Sequence, residues 1–297
     1  MRENIKISII IPCWNSENTI ARCLESIVAN QSDNIEIICI DDCSTDNTVD
    51  IIDSFIQRDR RIHVFKKHEH TNAGDARNHG IAKAAGLYYW FIDSDDFIAP
   101  ESIEICLNKI KKYFYPDLII FPYKKITGQG YERHTIHSQA DTNEVVEIKN
   151  LHLENYYQLT SPEVWNKLFK SELIHENRIH FQSIKSSNDI YFTRAYMSTT
   201  KNYLYIDELL YFHDRTIANS IGTYRGLYLN TIHANQELKE YLIRNNIYKE
   251  FKKTFLKSYK SNLKHELKNT RKATYKALYT LIIFLIDINL RICSLSR

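Results

Sequence analysis

In the segment Tyr88–Asp96, with the sequence YYWFIDSDD, an apolar run ends in three carboxylates. We predict a strand over Tyr88–Ile92, so that the acids stand at its carboxyl end. Open α/β sheets hold ligands at this end of their strands. Carboxylates this close repel one another, and burying them together is costly without a cation. The segment therefore predicts either a site for a hard divalent cation that also binds substrate phosphates, or an acidic turn that caps the next helix.

Strands and helices alternate on both sides of this segment. Ala76, Gly80 and Ala84 form a stripe of small residues four apart, which lets a helix pack closely on a sheet. Such alternation predicts a parallel sheet with right-handed crossovers, a nucleotide-binding type of α/β fold. The other strands predicted in this half are Ile7–Pro12, Ile35–Ile40, Ile62–Phe65 and Leu118–Phe121, and the other helices cover Ile20–Val28, Val49–Ile56 and Ile103–Ile110.

The chain beyond Pro122 follows a less regular pattern. It indicates a polar hairpin or flap over Tyr131–Lys149 and a helix over Asp189–Met197. Two short strands, Tyr203–Ile206 and Leu209–Phe212, are predicted to follow, and after Tyr224 the pattern is helical throughout.

Composition excludes several classes of protein. The 297 residues are 43% hydrophobic, which excludes intrinsic disorder and allows one large α/β domain or two small ones. Six cysteines without paired spacing indicate reduced, packed thiols, and 7 Gly with 5 Pro argue against repeats and low-complexity linkers. The chain enters a strand pattern without a signal peptide, so we expect a cytoplasmic protein.

Charge is unevenly distributed along the chain. Residues Lys239–Lys276 contain twelve Lys and Arg against three acids, and this excess suggests an anionic partner. The following segment, Ala277–Leu295, is apolar but interrupted by Asp287 and Arg291, so it favours an interfacial helix over a spanning one. We therefore expect a peripheral anchor on the anionic inner leaflet of the membrane; the alternative is that these helices pack on the rest of the protein.

Two further segments carry candidate binding residues. In Ile38–Asp46 a strand runs into an acidic turn, where one carboxylate is suited to accept the imide proton of a uracil ring, while Ser44 and Asp46 cap the next helix. In Asn72–Asn78 a turn opens a helix, and Arg77 adds a guanidinium that binds phosphate or carboxylate. Both patterns also occur as ordinary helix starts.

Together these segments resemble the inverting glycosyltransferases of family 2, which have the GT-A fold. The resemblance covers about the first 220 residues and implies an α/β protein: a nucleotide-binding, parallel-rich sheet flanked by helices. It implies a GT-A domain over residues 1–222, with a nucleotide-sugar half at 1–121 and an acceptor half at 122–222, followed by a C-terminal helical extension over 223–297. The matching segments are Ser8–Asn15, Glu36–Thr48, Asn72–Pro100, Trp165–Phe169 and Ser187–Tyr191.

The resemblance also implies roles for residues of the nucleotide-sugar half. Pro12 and Trp14 would line the base pocket, with Trp14 stacking where the family often has Tyr. Asp42 would read the uracil and Arg77 would contact the nucleotide. Asp93-Ser94-Asp95 looks like the family's Asp-x-Asp signature, in which Asp93 contacts ribose or metal and Asp95 binds the Mn²⁺ or Mg²⁺ directly.

The acceptor side is implied by two downstream segments. Asp189 falls on the acid that usually acts as catalytic base, although Asn188 stands where the family usually has Glu. Trp165 and Lys167 fit the family's Trp-Asn-Lys segment near the acceptor pocket, the alternative being that Trp165 is core. His213 would face the diphosphate or the metal unless it is a packed residue, and Ser220 would touch phosphate.

These resemblances imply a metal-dependent transferase that moves a hexose or N-acetylhexosamine from a UDP-sugar to a glycan or lipid-linked glycan. The Ile-, Asn- and Lys-rich composition resembles bacterial members that build O-antigen, lipooligosaccharide or capsule. One alternative is a sugar nucleotidyltransferase, which usually needs a Gly-rich basic loop that Pro12–Ser16 is not. Another is a nucleic-acid-binding protein that uses the basic C-terminal helices; it leaves the acidic strand ends unexplained, so we expect no nucleic-acid partner.

Overall fold

The computed structural model describes residues 6–134, 143–216, 229–270 and 273–295. Strands and helices alternate through the first 120 residues, as the sequence predicts. The strands are β1 (Ile7–Cys13), β2 (Ile35–Asp41), β3 (Ile62–Lys66), β4 (Tyr88–Phe91), β5 (Phe97–Ile98), β6 (Leu118–Ile120), β7 (Tyr123–Thr127), β8 (Gly130–His134), β9 (Val145–Glu147), β10 (Lys167–Lys170), β11 (Asn202–Tyr205) and β12 (Tyr211–Asp214). The helices are α1 (Ile20–Val28), α2 (Thr48–Ile56), α3 (Ala73–Lys83), α4 (Ser102–Lys112), α5 (Ser171–Glu176), α6 (Asn188–Met197), α7 (Asn230–Arg244), α8 (Tyr248–Asn269) and α9 (Ala273–Leu295).

The large sheet has eight strands in the order β3-β2-β1-β4-β10-β6-β11-β9. Its β3-β2-β1-β4 half is parallel, as predicted, whereas β10 lies antiparallel between β4 and β6. The sheet is therefore parallel-rich and mixed. All seven residues of β2 are buried, which explains why the apolar pattern of this strand is continuous and does not alternate.

Helix α3 lies close against this sheet through its small residues. A Cβ atom added to Gly80 would collide with the Cγ2 atom of Ile10 on β1. This confirms the close packing predicted from the small-residue stripe, and it fixes the first turn of α3 near the carboxyl ends of the strands.

A second sheet of four strands, in the order β5-β12-β7-β8, covers the acidic turn. Its β7–β8 hairpin begins at Tyr123, earlier than the predicted flap, and residues 135–142 of that predicted flap lie outside the described ranges. Strand β12 pairs with β5, which directly follows the acidic turn. This pairing brings residues more than 110 positions apart into one site.

The C-terminal helices are built into a second apolar core. Leu238 of α7, with Phe251 and Phe255 of α8, is buried against Tyr157 and Tyr191. The basic region is therefore part of the folded body and does not form a detached appendage. The predicted boundary at residue 222 and the predicted phosphate contact Ser220 both lie outside the described residues.

Helix α9 has two different faces. Tyr279 and Ile286 are buried in the second core, whereas the large apolar residues of the opposite face are exposed. Those exposed residues are Leu281, Phe284, Leu285, Ile288 and Ile292. Among the described helices, none combines the length and the apolarity that crossing a membrane requires.

Candidate active site

Three carboxylates meet directly after β4. Oxygen atoms of Asp93, Asp95 and Asp96 all lie within 4.8 Å of one another. Ile92, the residue before them, is fully buried, so the strand holds the acidic turn at the edge of the sheet. This confirms the sequence prediction that the three acids form one carboxylate cluster.

Asp96 is anchored by strand β12. Its carboxylate accepts hydrogen bonds from the Tyr211 hydroxyl and, at 2.8 Å, from the backbone N–H of Asp214. The Nδ1 atom of His213 lies 3.1 Å from the same carboxylate. Burial alone lowers the pKa of His213, but the hydrogen bond and charge of Asp96 outweigh it and raise this pKa above its ordinary value. Asp96 therefore joins the acidic turn to β12.

Asp93 and Asp95 have fewer protein partners. Asp93 accepts one hydrogen bond from Arg77 at 2.6 Å, and Ser94 between the two acids pairs with the Ser16 hydroxyl at 2.8 Å. Burial and the charges of Asp96 and Asp93 raise the pKa of Asp95 to about 7. Crowded carboxylate oxygens with excess negative charge are the ligand set that a hard divalent cation takes, so these residues fit Mn²⁺ or Mg²⁺.

Arg77 connects the acidic turn to the helix that carries the predicted base. Its side chain is 8% exposed, and its guanidinium donates to Asp93 and, at 3.2 Å, to the Oδ1 atom of Asn188. The Nε atom is buried without a hydrogen-bond partner among the described residues. Arg77 was predicted to contact the nucleotide; the structure places it between the two halves of the site.

The predicted base pocket lies at the ends of β1 and β2. Trp14 is 43% exposed, and its ring stacks on His70 with centroids 4.3 Å apart. Asp42 is buried, and its carboxylate accepts hydrogen bonds from Lys67 at 2.6 Å and from the backbone N–H of Thr71 at 3.1 Å. The Nδ1 atom of His70 is 2.9 Å from the same carboxylate. Asp42 is thus well supplied with protein donors, which the sequence did not predict.

Pro12, the other residue predicted for this pocket, is half-buried near the carboxyl end of β1. The prediction that Ser44 and Asp46 cap the next helix is half right. The carboxylate of Asp46 accepts from the backbone N–H of Thr48 at 3.0 Å, whereas the Ser44 hydroxyl accepts from the backbone of Asn15.

Asp189 lies in the first turn of α6, where its surroundings raise its pKa. Burial and the charge of Glu163 raise the pKa of Asp189 to about 6, and the opposite charge of Arg77 limits the rise. A carboxylate with this pKa is ionised at neutral pH and is a stronger base than an ordinary Asp. Asn188, the residue that departs from the family pattern, accepts a hydrogen bond from Arg77. This hydrogen bond connects α6 to Arg77.

The Trp-Asn-Lys segment lies next to this base but is largely buried. The Trp165 ring is 6% exposed and stacks on Tyr211 at 4.8 Å and on His213 at 5.1 Å. Lys167 is fully buried, and burial lowers its pKa to about 7. Its ammonium donates to the backbone oxygen of Glu163 at 2.6 Å and to Asn166 at 2.7 Å.

Some residues of this site were missed by sequence analysis. Glu163, Tyr211 and Lys67 have no motif of their own and reach the site only through tertiary contacts. The only available signal was that Glu163 stands two residues before the Trp-Asn-Lys segment.

The sequence is similar to a known protein family and to several bacterial glycosyltransferases. The sequence family described as Glycosyl transferase family 2 matches residues 8–196. A poly(ribitol-phosphate) beta-glucosyltransferase of Bacillus spizizenii is 34% identical over 203 residues, which are 66% of this chain and 30% of that protein. A putative glycosyltransferase, EpsH of Bacillus subtilis, is 28% identical over 84% of this chain and 73% of its own length.

Among solved structures, the chain is similar to the first 349 residues of S. aureus TarS in complex with UDP-GlcNAc. The TM-score is 0.66 at 21% identity, and the alignment covers 96% of this chain and 89% of that one. At this identity the likeness shows the fold alone, and it confirms the α/β GT-A architecture with C-terminal helices. The chain spans about 30% of the length of the Bacillus spizizenii enzyme.

Proposed function

The chain belongs to glycosyl transferase family 2, and from this we propose that it transfers a sugar from a nucleotide-sugar to an acceptor hydroxyl. One observation carries the proposal: Arg77 joins the acidic turn on one side to Asn188, next to Asp189, on the other. A carboxylate cluster suited to a diphosphate-bound cation and a separate carboxyl with a raised pKa, that of Asp189, are thus held in one site, with one role for each.

For the donor we propose a UDP-hexose or UDP-N-acetylhexosamine. The half-exposed Trp14 ring offers a stacking surface for a base, and His70, which stacks on that ring, lies 2.9 Å from the Asp42 carboxylate. Relatives support the choice, since the S. aureus TarS structure is a complex with UDP-GlcNAc. Asp93 and Ser94 would contact the sugar nucleotide on the other side of the site.

The chemistry follows from the two carboxyl environments. Asp189 accepts the proton of the acceptor hydroxyl while the hydroxyl oxygen attacks the anomeric carbon and the bond to UDP breaks. The attack comes from the face opposite the leaving group, so an α-linked donor gives a β-linked product. A Mn²⁺ or Mg²⁺ held by Asp95 and Asp93 supplies Lewis-acid charge for the leaving diphosphate when bound. Arg77 keeps Asp93 oriented throughout.

For the acceptor we propose a glycan or lipid-linked glycan of a bacterial surface polymer, such as O-antigen, lipooligosaccharide or capsule. Asn188, beside Asp189, would line its pocket, and the buried side chains of Trp165 and Lys167 would support that pocket from behind. A relative named for poly(ribitol-phosphate) makes a polyol phosphate chain a second candidate acceptor.

We also propose that the protein works at the inner face of the membrane, held by α9. The exposed face of α9 includes Leu281, Phe284, Leu285 and Ile288, which recur at helical spacing. The four side chains are 40–60% exposed, so burying what remains would contribute about 1 kcal/mol each, which is marginal binding by itself. Exposed lysines nearby in the chain, Lys264, Lys268 and Lys276, would each add about 1 kcal/mol on anionic lipid.

Liposome flotation tests this location with intact chains. We expect wild-type protein to float with vesicles that contain anionic lipid and to be partly released by salt. Phe284→Gln should weaken binding severalfold, whereas the same change at Phe114, which is 88% exposed on a different part of the surface, should not. Equal flotation of the two variants would remove α9 as the anchor.

Calorimetric titration with UDP tests the donor site. UDP should bind more tightly with Mn²⁺ than with EDTA, and Asp95→Asn should abolish the difference. Asp33→Asn, a change at a side chain 87% exposed to solvent, is the matched control and should bind like wild type. Absence of UDP binding, or binding that ignores both Mn²⁺ and Asp95, would overturn the proposed donor site.

A further inference from the structure

Glu163 carries a buried carboxylate oxygen with an unusual environment. Its Oε2 atom is inaccessible to solvent and has no hydrogen-bond partner among the described residues. Burying an ionised group without donors is costly, so such an oxygen calls for an explanation. The nearby ammonium of Lys167 does not neutralise it by a hydrogen bond, because that ammonium donates to the backbone oxygen of Glu163 and to Asn166.

Helix α6 itself fixes where Glu163 stands. The hydroxyl of Thr193 donates to the backbone oxygen of Pro162 at 2.6 Å, and Arg194 donates to that of Thr160 at 2.9 Å. Asp189 lies four residues before Thr193, on the same face of the helix. The segment that leads into Glu163 is therefore clamped to the face of α6 that carries Asp189.

The charged side chains around Asp189 belong to several different segments of the chain. Like charges make a neighbouring carboxyl harder to ionise, and opposite charges make it easier. Glu163 is the strongest charged neighbour of Asp189, ahead of Arg77 and Asp93. The charged groups that interact with Asp189 are Glu163, Arg77, Asp93, Lys167 and Arg194.

We propose that Glu163 is a positioning residue for the acceptor-side base: its carboxylate, whose Oε2 atom lacks a hydrogen-bond partner and whose segment α6 clamps beside Asp189, makes Asp189 the stronger proton acceptor that the transfer step needs. The catalytic part of this inference rests on the proposed function. An ordinary Asp is a weak base at neutral pH, whereas a base that titrates nearer the working pH abstracts a proton more effectively. The free-energy cost of burying the unpaired Oε2 atom is thus accompanied by a stronger base at Asp189.

The first test measures Asp189 directly and needs no activity. Protein labelled with ¹³C at the Asp carboxyl carbon is titrated by NMR, and the Asp189 signal is assigned by its loss in Asp189→Asn. Glu163→Gln should move the Asp189 midpoint to lower pH by about 1 unit, because a like charge is removed. Glu163→Asp keeps the charge and should retain most of the wild-type midpoint. Glu172→Gln, at a partly exposed acid paired with Lys170, should change nothing.

The second test is the pH dependence of kcat for UDP release from the donor sugar. In Glu163→Gln the acidic limb of the profile should move down with the NMR midpoint, and kcat at neutral pH should fall several-fold while the KM for donor stays constant. An unchanged NMR midpoint in Glu163→Gln would overturn the inference, whatever the enzyme transfers. A shifted midpoint in a protein that releases UDP from no donor would instead contradict the proposed function and leave Glu163 as a modulator of Asp189 alone.

Discussion

Replacing Arg77 with Met tests whether one guanidinium holds the two halves of the site together. The change keeps the volume of the side chain but removes its charge and both hydrogen bonds, to Asp93 and to Asn188. Breaking a buried ion pair on one side costs about 3–5 kcal/mol. Because the Asp93 side chain is 28% exposed, solvent recovers part of this, and we expect a loss of about 2–3 kcal/mol.

For a chain of 297 residues that loss lowers Tm by about 3–5 °C. Differential scanning fluorimetry in EDTA measures it, with Arg60→Met as the matched control. Arg60 pairs with Asp33 on the open surface, where both side chains are almost 90% exposed, so its loss should move Tm by less than about 1 °C. Equal melting of Arg77→Met and wild type would refute the bridge.

Mn²⁺ sharpens this experiment. In Arg77→Met the acidic turn loses its nearest positive charge, so a bound cation should compensate more than it does in wild type. We expect Mn²⁺ to raise the Tm of Arg77→Met more than that of wild type and to narrow the gap between them. A gap that widens with Mn²⁺ would mean that Arg77 does not balance the charge of Asp93.

Three further outcomes follow from the site. Asp189→Asn should lower kcat by about 10²–10⁴-fold with unchanged UDP affinity, measured by steady-state transfer and calorimetry. In wild type, activity should fall as pH drops through about 6, because Asp189 must be ionised to accept a proton; a profile flat to pH 5 would exclude it as the base. Trp14→Ala should weaken UDP binding about 5–150-fold, which is the contribution of one stacked base, and should lower Tm by at most about 2 °C, because the lost stacking on His70 contributes about 1 kcal/mol.

Much of the first half of the fold was predictable because its signals are local. Buried strands such as β2 are continuous apolar runs, and the small-residue stripe of α3 indicates that this helix packs closely on the sheet. The predicted ends of β1, β2 and β4 are each within one residue of the observed ones. The antiparallel β10 was not predicted, since four residues carry little pattern and their pairing with β4 is a tertiary contact.

The site was predictable where carboxylates cluster in sequence and unpredictable where distant segments meet. The Asp-x-Asp pattern identifies Asp93 and Asp95 as candidate ligands from the sequence. Nothing local indicates that Asp96 accepts a hydrogen bond from Tyr211, or that Asp42 accepts one from Lys67. The role proposed for Glu163 depends on the hydrogen bonds that hold its segment against α6. Such roles depend on contacts across many tens of residues, which a single sequence does not record.

Transfer itself, followed by NMR, tests the proposed reaction most directly. The 297-residue protein is incubated with Mn²⁺, a panel of α-linked UDP-sugars, and either lipid-linked glycans or poly(ribitol phosphate) as acceptors. We expect UDP release in step with a new β-anomeric signal from at least one donor, and loss of both in Asp95→Asn and in Asp189→Asn. An α-linked product, or pyrophosphate formed from UTP and a sugar phosphate without any UDP-sugar being consumed, would contradict the proposed reaction.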